Sequence, residues 1–291
     1  MVTIGGILGL GDLFLGTSGW HYKEWVGALY KDNTEDKLRA YSRVFDSVEI
    51  DSTFYRYPTK EMVSRWAKLT MPDFIFTTKL PQLITHEKKL KIGEGAGEDL
   101  EKFLELMRPL QELGKLGCIL IQLPPSFRAD RHDILERFFW ILPKEFRFAV
   151  EFRDLSWFRD ETWKLLKEYN VAYTIVDEPL LPPEIAVTAD IAYFRWHGRG
   201  PGPWYDYRYK EEELRPWIPR LREVSGKAKR VFGYFNNHYH GYAVENCLDV
   251  LNMLEMIKPL QTKARTIVKD HLEGRIRSES ASLDSFFVPK E

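Results

Sequence analysis

Short apolar segments rich in β-branched and aromatic residues recur eight times along the chain, and most are followed by a segment with helical apolar spacing. The predicted strands lie in segments 14–20, 48–51, 74–80, 118–123, 148–152, 172–176, 192–196 and 230–235. Alternation of strand and helix predicts an α/β fold with a parallel sheet. Eight such units in about 250 residues predict a single (β/α)8 TIM-type barrel.

An open doubly wound sheet is the alternative architecture. It would need a glycine-rich nucleotide-binding turn after the first strand, and segment 16–20, Gly-Thr-Ser-Gly-Trp, lacks that pattern. We therefore assign residues 12–260 to the barrel and residues 1–11 to a leader. Residues 262–282 are rich in charge and poor in large apolar side chains, so we predict that residues 261–291 form a flexible C-terminal tail with room for one short helix.

Composition and charge limit the compartment and the partners. The chain has 42 basic and 43 acidic side chains and a net charge of −1, so any contact with nucleic acid would have to be a local patch. Cys118 and Cys247 lie in apolar patterns that predict buried free thiols. Because no apolar run approaches membrane-spanning length and the N-terminus lacks a secretory signal, we predict a cytoplasmic protein without a membrane partner.

The segment 47–56, Ser-Val-Glu-Ile-Asp-Ser-Thr-Phe-Tyr-Arg, gives the first indication of a functional site. Alternation along a strand places Glu49 and Asp51 on one face and the two aliphatic residues on the other. In a parallel barrel the polar face lies inside the barrel or at its mouth, where substrates bind. An antiparallel strand with one solvated face would show the same pattern, but the eight predicted units favour the barrel.

Barrel enzymes hold their functional side chains at the C-terminal ends of the strands, and those positions are strongly polar here. The residues predicted to be catalytic are Glu49, Asp51, Lys79, Glu151, Asp177 and His197. The residues predicted to bind a substrate are Trp20, Tyr22, Tyr55, Arg56, Gln122, Arg153, Arg195, Arg199, Trp204, Asn236 and Asn237. Each has a structural explanation when taken alone, such as an ion pair between Glu151 and Arg153. Their number at one rim predicts a site.

Two chemistries suit this set. Carboxylate and imidazole side chains could hold a divalent metal such as Mg²⁺, Mn²⁺ or Zn²⁺, and the predicted ligands are Glu49, Asp51, Glu151, His197 and His238. A metal-held hydroxide would suit hydrolysis of a phosphodiester. Without a metal, the arginines would bind a phosphate or carboxylate while a glutamate accepts a proton. The chain has no metal motif of fixed spacing, such as His-Glu-x-x-His, so the choice stays open.

The loop 198–209 is long, cationic and aromatic. Arginine interleaved with tyrosine and tryptophan can stack on bases and clamp backbone phosphates, which would indicate a nucleic-acid contact. The same aromatic residues could instead cover the barrel rim as a lid. The sequence supports both interpretations equally.

Seven short segments resemble the YecE-like family, also known as domain of unknown function 72 (DUF72). They are segments 16–20, 48–56, 84–86, 122–127, 150–153, 197–199 and 234–237, and together they span roughly residues 12–258. The resemblance implies a TIM-type barrel and implies no particular reaction. The chain departs from the family pattern where Asp51 replaces an asparagine, Asp154 a histidine and His238 an aspartate, which adds acid and imidazole at the mouth.

The C-terminal residues form a second pattern. Leu283, Phe286 and Phe287 would share one face of a helical turn, and exposed apolar side chains of this size are costly unless a partner covers them. Residues 280–287 resemble the motif Gln-x-x-Leu-x-x-Phe-Phe that binds the PCNA sliding clamp, with Ser280 in place of the glutamine. The alternative is that the two phenylalanines pack against the barrel of the same chain.

These observations support three hypotheses of function. The first is a nucleic-acid-processing enzyme, a repair-type phosphodiester hydrolase or metal-assisted nuclease, which the PCNA clamp would bring to DNA although the barrel itself is not basic. The second is a small-molecule enzyme that acts on a sugar or phosphorylated metabolite with Glu49 or Glu151 as the base. The third is a binding module without catalysis, which internal pairing of all the carboxylates would favour.

Overall fold

The computed structural model describes residues 11–275, in which eight parallel strands alternate with helices in a nearly closed barrel. The strands are β1 (Asp12–Thr17), β2 (Ser47–Ile50), β3 (Ile75–Lys79), β4 (Leu116–Gln122), β5 (Phe148–Glu151), β6 (Ala172–Asp177), β7 (Ile191–Trp196) and β8 (Arg230–Phe235). The helices are α1 (Lys37–Val44), α2 (Ser52–Tyr55), α3 (Lys60–Leu69), α4 (Ala96–Glu112), α5 (His132–Trp140), α6 (Asp160–Glu168), α7 (Glu211–Leu214), α8 (Trp217–Ser225), α9 (Tyr242–Met253) and α10 (Pro259–Leu272). The predicted (β/α)8 fold and its eight strands are confirmed.

The strands are buried on both faces, which explains their near-continuous apolar sequences. Every residue of β6 and β7 is buried. Outward side chains pack under the helices in the larger apolar cluster, while a smaller cluster, which includes Leu120, Tyr193 and Phe232, fills the inside of the barrel. The barrel is therefore a packed core and any site must lie at its mouth.

The sheet has the order β1-β8-β7-β6-β5-β4-β3-β2, and the ring closes between β1 and β2. Ser18 pairs with Glu49 at this junction, and the Gly19 amide donates to the Glu49 carbonyl over 2.8 Å. Gly16 permits the close approach, because a Cβ atom at this position would stand 2.1 Å from the carbonyl oxygen of Ser47. The closure brings Glu49 next to the end of the first strand.

The last helix, α10, differs from the predicted flexible tail. Its residues Ala264 and Val268 are buried, and the Gln261 side-chain amide donates to the carbonyl of Val44 at the end of α1 over 2.8 Å. The predicted boundary at residue 260 thus falls inside a helix that belongs to the barrel. Residues 1–10 of the predicted leader and the clamp-like motif 280–287 lie outside the described residues.

Two further expectations concern the cysteines and the membrane. Cys118 and Cys247 are both buried free thiols, as predicted, and burial raises the pKa of each well above its ordinary value.

Across residues 11–275, every helix is too short or too polar to cross a lipid bilayer.

Candidate active site

Inward-facing positions of the strands change from apolar to charged towards the C-terminal end of the barrel. On β5, Ala149 lies in the interior cluster and Glu151 follows two positions later. On β7, Tyr193 lies in the interior cluster and Arg195 follows two positions later. Strand β3 ends in the buried Lys79. Because side chains two positions apart share a face, the period of two directs these charged groups into the mouth.

Arg195 is the centre of the site and is fully buried. Its two terminal nitrogens donate to carboxylates on both sides, to Glu49 over 2.8 Å and to Glu151 over 2.8 Å. Glu49 also accepts hydrogen bonds from the hydroxyls of Ser18, over 2.5 Å, and Tyr193, over 2.8 Å. Burial alone would raise the pKa of Glu49, but the charge of Arg195 and these donors outweigh it and lower that pKa. Glu49 is therefore a fixed carboxylate.

Arg153 links Glu151 to a second acid, Glu178. One terminal nitrogen of Arg153 contacts Glu151, and the other donates to Glu178 over 2.7 Å. Burial opposes ionisation of Glu151, yet Arg153 and Arg195 together hold its pKa well below the ordinary range. Glu178 shares the guanidinium of Arg153 with Glu151, and burial, together with the charge of Glu151, prevails and raises the pKa of Glu178 to about 7. Glu178 is thus the acid of this cluster that changes its protonation near neutral pH.

His197 is buried beside the same group. Its Nδ1 lies 3.2 Å from the side-chain amide nitrogen of Asn236, and its Nε2 lies 3.2 Å from a terminal nitrogen of Arg153 and 3.4 Å from Glu151. Burial and the charges of Arg153 and Arg195 lower the pKa of His197 to about 3. The imidazole is therefore neutral at neutral pH, and its predicted catalytic role is restricted to the neutral form.

Lys79 and Asp51 form the accessible edge of the site. The Lys79 ammonium binds the Asp51 carboxylate and lies 3.6 Å from Glu49. The exposed fraction of the side chain is 29% for Asp51, 0% for Glu49, 0% for Glu151, 2% for Asp177 and 2% for Glu178. Among these carboxylates, Asp51 is the one that a molecule entering the mouth can reach.

Asp177 and Arg199 hold the loop 198–209 in place. Arg199 binds Asp177 through two hydrogen bonds of 2.8 Å each, and the Trp217 indole donates to the same carboxylate over 2.8 Å. With both oxygens engaged, Asp177 is a structural anchor between β6, α8 and the loop. Its position does not support the predicted catalytic role.

Several predicted binding residues also serve the fold. Asn237 is buried and donates to Asn246 and to the Tyr207 carbonyl, each over 2.8 Å, which ties the loop 198–209 to α9. Trp20 stands edge-on to Trp66 at 6.2 Å and packs against the core. Arg56 is exposed, Trp204 is half-buried in the loop, and Gln122 accepts from Arg195 over 3.2 Å at the edge of the charged cluster.

Aromatic side chains surround the charged cluster. The rings of Tyr22 and His238 stack at 4.4 Å, and those of His238 and Tyr205 stack at 5.5 Å. We call Tyr22, His238 and Tyr205 the aromatic wall. Burial chiefly, and then the nearby Asp51 carboxylate, raise the pKa of Tyr22, which shows that the wall adjoins the accessible edge of the site.

The residues predicted to hold a divalent metal were Glu49, Asp51, Glu151, His197 and His238. Arg195 forms ion pairs with Glu49 and Glu151, and Lys79 forms one with Asp51. Cations of the protein therefore bind the carboxylates that were predicted to bind the metal. Within the part of the chain that the structure describes, no group of three or more His, Cys, Asp or Glu side chains is arranged to hold a metal ion. The geometry therefore does not support the predicted metal centre.

Three residues of the site were not predicted. Tyr193 lies two positions before Arg195 on the same face of β7, so strand periodicity could have identified it. Ser18 lies in the Gly-Thr-Ser-Gly-Trp segment, and Glu178 directly follows Asp177. The sequence does not show that Ser18 contacts Glu49 or that Glu178 contacts Arg153, because each contact joins strands that are distant in sequence. Only the fold shows these contacts.

The fold and the charged mouth define a TIM-type barrel with a candidate active site at the C-terminal ends of its strands. Residues 14–267 match the family described as "Protein of unknown function DUF72", so the chain belongs to the DUF72 family. UPF0759 protein YunF of Bacillus subtilis is 28% identical over 271 residues, which cover 84% of this chain and 95% of YunF. UPF0759 protein YecE of Escherichia coli K12 is 32% identical over 146 residues, half of each chain.

A solved structure gives the same result for the fold. The crystal structure of a DUF72 family protein from Thermotoga maritima is 35% identical, with a TM-score of 0.76, and the match covers 84% of this chain and 99% of that chain. The resemblance to the YecE-like family is thereby confirmed. The family description assigns no reaction, so the chemistry of the mouth must be argued from its side chains.

Proposed function

We propose that this protein is an enzyme that binds a small polyhydroxylated molecule of the sugar class at the barrel mouth and transfers a proton on it. The supporting observation is that the cations of the mouth are paired with carboxylates. The pairs are Arg195 with Glu49 and Glu151, Arg153 with Glu151 and Glu178, Lys79 with Asp51, and Arg199 with Asp177. Such a mouth offers many donors and acceptors whose charges are paired with one another. Sugar hydroxyls, which donate and accept at once, complement it.

The same pairing weighs against a phosphodiester substrate. Binding of nucleic acid depends on lysine and arginine side chains that neutralise backbone phosphates. Here a phosphate would have to displace the carboxylates that already hold Arg195 and Arg153, and Arg195 is buried. The nuclease hypothesis is therefore the second candidate, and it depends on the segment 280–287, which lies outside the described residues.

Internal pairing of the mouth carboxylates favours the binding module, but the side chain of Asp51 remains 29% exposed. This accessible edge of the site suits proton transfer next to a carbonyl group. The Asp51 carboxylate accepts a proton from the carbon beside the carbonyl, and the electron pair of that bond moves onto the carbonyl oxygen. The Lys79 ammonium stabilises the negative charge that develops on this oxygen. Return of the proton to the former carbonyl carbon, with passage of the neighbouring hydroxyl proton to the oxygen beside Lys79, completes an aldose–ketose isomerisation. Glu49 and Glu151 remain ionised and hold Arg195 in place beneath the substrate.

The test combines a binding panel with proton exchange in D₂O. Neutral ketoses and aldoses, their phosphates and a single-stranded oligonucleotide are titrated into the protein by NMR, and loss of the C–H signal beside the carbonyl is followed. We expect a neutral sugar to bind and to exchange that proton for deuterium. Asp51→Asn should abolish the exchange, whereas Asp73→Asn, an exposed carboxylate in the turn before β3, should leave it intact.

The opposite result is equally clear. Salt-dependent binding of the oligonucleotide, with no binding of any sugar, would overturn the sugar proposal and favour the nuclease hypothesis. Binding of a sugar without exchange in the wild-type protein would favour the third hypothesis, a binding module without catalysis.

A further inference from the structure

Three Phe, Tyr or Trp side chains in the described range 11–275 are clearly exposed. They are Tyr55 at 64%, Trp140 at 77% and Tyr205 at 39%. Tyr55 ends α2, directly after β2, and Tyr205 lies in the loop after β7, so both belong to the mouth of the barrel. Trp140 ends α5, ahead of β5, at the opposite end of the barrel. Two of the three most exposed aromatic rings thus flank the candidate active site.

Tyr55, Tyr205 and Asp51 all lie at the mouth of the barrel, because Asp51 and Tyr55 follow β2 and Tyr205 follows β7. The Asp51 carboxylate, followed by burial and by the Tyr205 hydroxyl, raises the pKa of Tyr55, which places the three groups within electrostatic reach. Tyr205 is supported from behind, because its ring stacks on His238 at 5.5 Å and His238 stacks on Tyr22 at 4.4 Å. The aromatic wall therefore ends in an open face beside the accessible carboxylate.

Tyr55 is supported in the same way from the other side. Its ring stands edge-on to Phe54, with the centroids 5.2 Å apart and the planes at 90°. Phe54 in turn stands edge-on to His86 at 5.0 Å. An exposed ring that is held by its neighbours loses little conformational freedom on binding, which favours a contact with a flat ligand.

We propose that Tyr55 and Tyr205 form an outer aromatic subsite for a second sugar ring, so that the substrate is a reducing disaccharide, whose free end supplies the carbonyl group. The inference rests on the proposed function and extends it from a single ring to two. The first ring lies against Asp51 and Lys79, and the second presents its C–H face to the two tyrosines. Their hydroxyl groups remain at the rim, where they bond to water or to the hydroxyls of the ligand.

The test compares the affinities for one ring and for two. Isothermal titration calorimetry gives Kd for a panel of monosaccharides and of the matching disaccharides, with the wild-type protein, Tyr55→Ala, Tyr205→Ala and the control Trp140→Ala. We expect a disaccharide to bind the wild-type protein about tenfold more tightly than its monosaccharide. Each tyrosine substitution should bring the ratio of the two Kd values towards one, and Trp140→Ala should leave the ratio unchanged.

The outcomes separate the two proposals. Equal affinity for monosaccharide and disaccharide in the wild-type protein, or a disaccharide Kd that neither tyrosine substitution changes, would overturn the subsite and leave the proposed function standing. If no sugar binds at all, both proposals fall. Because Tyr55 and Tyr205 are exposed, the variants are expected to fold, and circular dichroism of each confirms this before titration.

Discussion

Arg195 donates to Glu151 over 2.8 Å at the mouth of the barrel, and both side chains are fully removed from solvent. The same guanidinium holds Glu49 on its other side. Two buried carboxylates thus share one buried cation. Removal of water from such a group is costly, and the arrangement is stable only while every partner is present, because a charge left alone cannot be solvated.

The first prediction follows from this dependence. Arg195→Met should lower the free energy of unfolding by about 3–5 kcal/mol, because it leaves Glu49 and Glu151 without their shared guanidinium. Urea denaturation of the purified variants gives the value. Arg215→Met is the control, since Arg215 pairs with Glu211 on the exposed surface of α7 and should change stability by less than about 1 kcal/mol. Similar small losses in both variants would contradict the arrangement of the cluster.

The second prediction concerns Glu178. Its pKa is raised from 4.5 to about 7 in the folded protein, so the folded state holds the proton more tightly than the unfolded state. The stability that this group contributes is present below about pH 4.5 and is lost as the pH rises through about 7, with a slope of up to about 1.4 kcal/mol per pH unit. Glu178→Gln should remove this slope.

Urea denaturation at pH 5, 6, 7 and 8 measures the effect. The free energy of unfolding of Glu178→Gln should fall less over this range than that of the wild-type protein. Glu212→Gln, which changes an exposed glutamate on α7, should follow the wild-type curve. Parallel curves for all three proteins would show that Glu178 is already ionised at pH 5.

The sequence predicts which side chains reach the mouth but not how they pair. Glu49, Glu151 and Arg195 were predictable because strand periodicity directs them to the inside and each lies near the end of its strand. Their mutual contacts were not predictable. These contacts join strands that are far apart in sequence, and they depend on distances inside the closed barrel. The geometry does not support the predicted metal centre for this reason, since Arg195 and Lys79 form ion pairs with its carboxylates.

The sequence analysis allowed a short helix here but not its packing on the barrel, because the buried face of α10 is small. Ala264 and Val268 suffice to pack it on the barrel, so its hydrophobic pattern is weak. Val268→Asp should destabilise the protein by several kcal/mol, because it buries a charge without a partner. Thr266→Asp, on the exposed face of the same helix, should have little effect in the same thermal denaturation experiment. If both variants behave alike, α10 does not contribute to the core.

A further prediction concerns Lys79 and rests on the proposed proton transfer. Lys79→Met should lower the rate of proton exchange about 10²–10⁴-fold, because no cation then stabilises the charge on the carbonyl oxygen. The fold should persist, since Glu49 keeps its bonds to Arg195, Ser18 and Tyr193. Exchange rates and sugar Kd are measured on the same samples. A loss of affinity equal to the loss of rate would make Lys79 a binding group only.

The C-terminal segment is tested separately from the barrel. We propose that Leu283, Phe286 and Phe287 bind a sliding clamp as a one-turn apolar plug, as the motif 280–287 predicts. Burial of each phenylalanine contributes roughly 1.5–3 kcal/mol, so Phe286→Ala/Phe287→Ala should weaken binding to PCNA at least about 100-fold in calorimetry.

Ser285→Ala, off the apolar face, is the matched control, and Ser280→Gln should tighten binding because it restores the glutamine of the motif. Failure of the intact protein to bind PCNA would remove the tether. It would also remove the remaining argument that this charge-balanced barrel is brought to DNA.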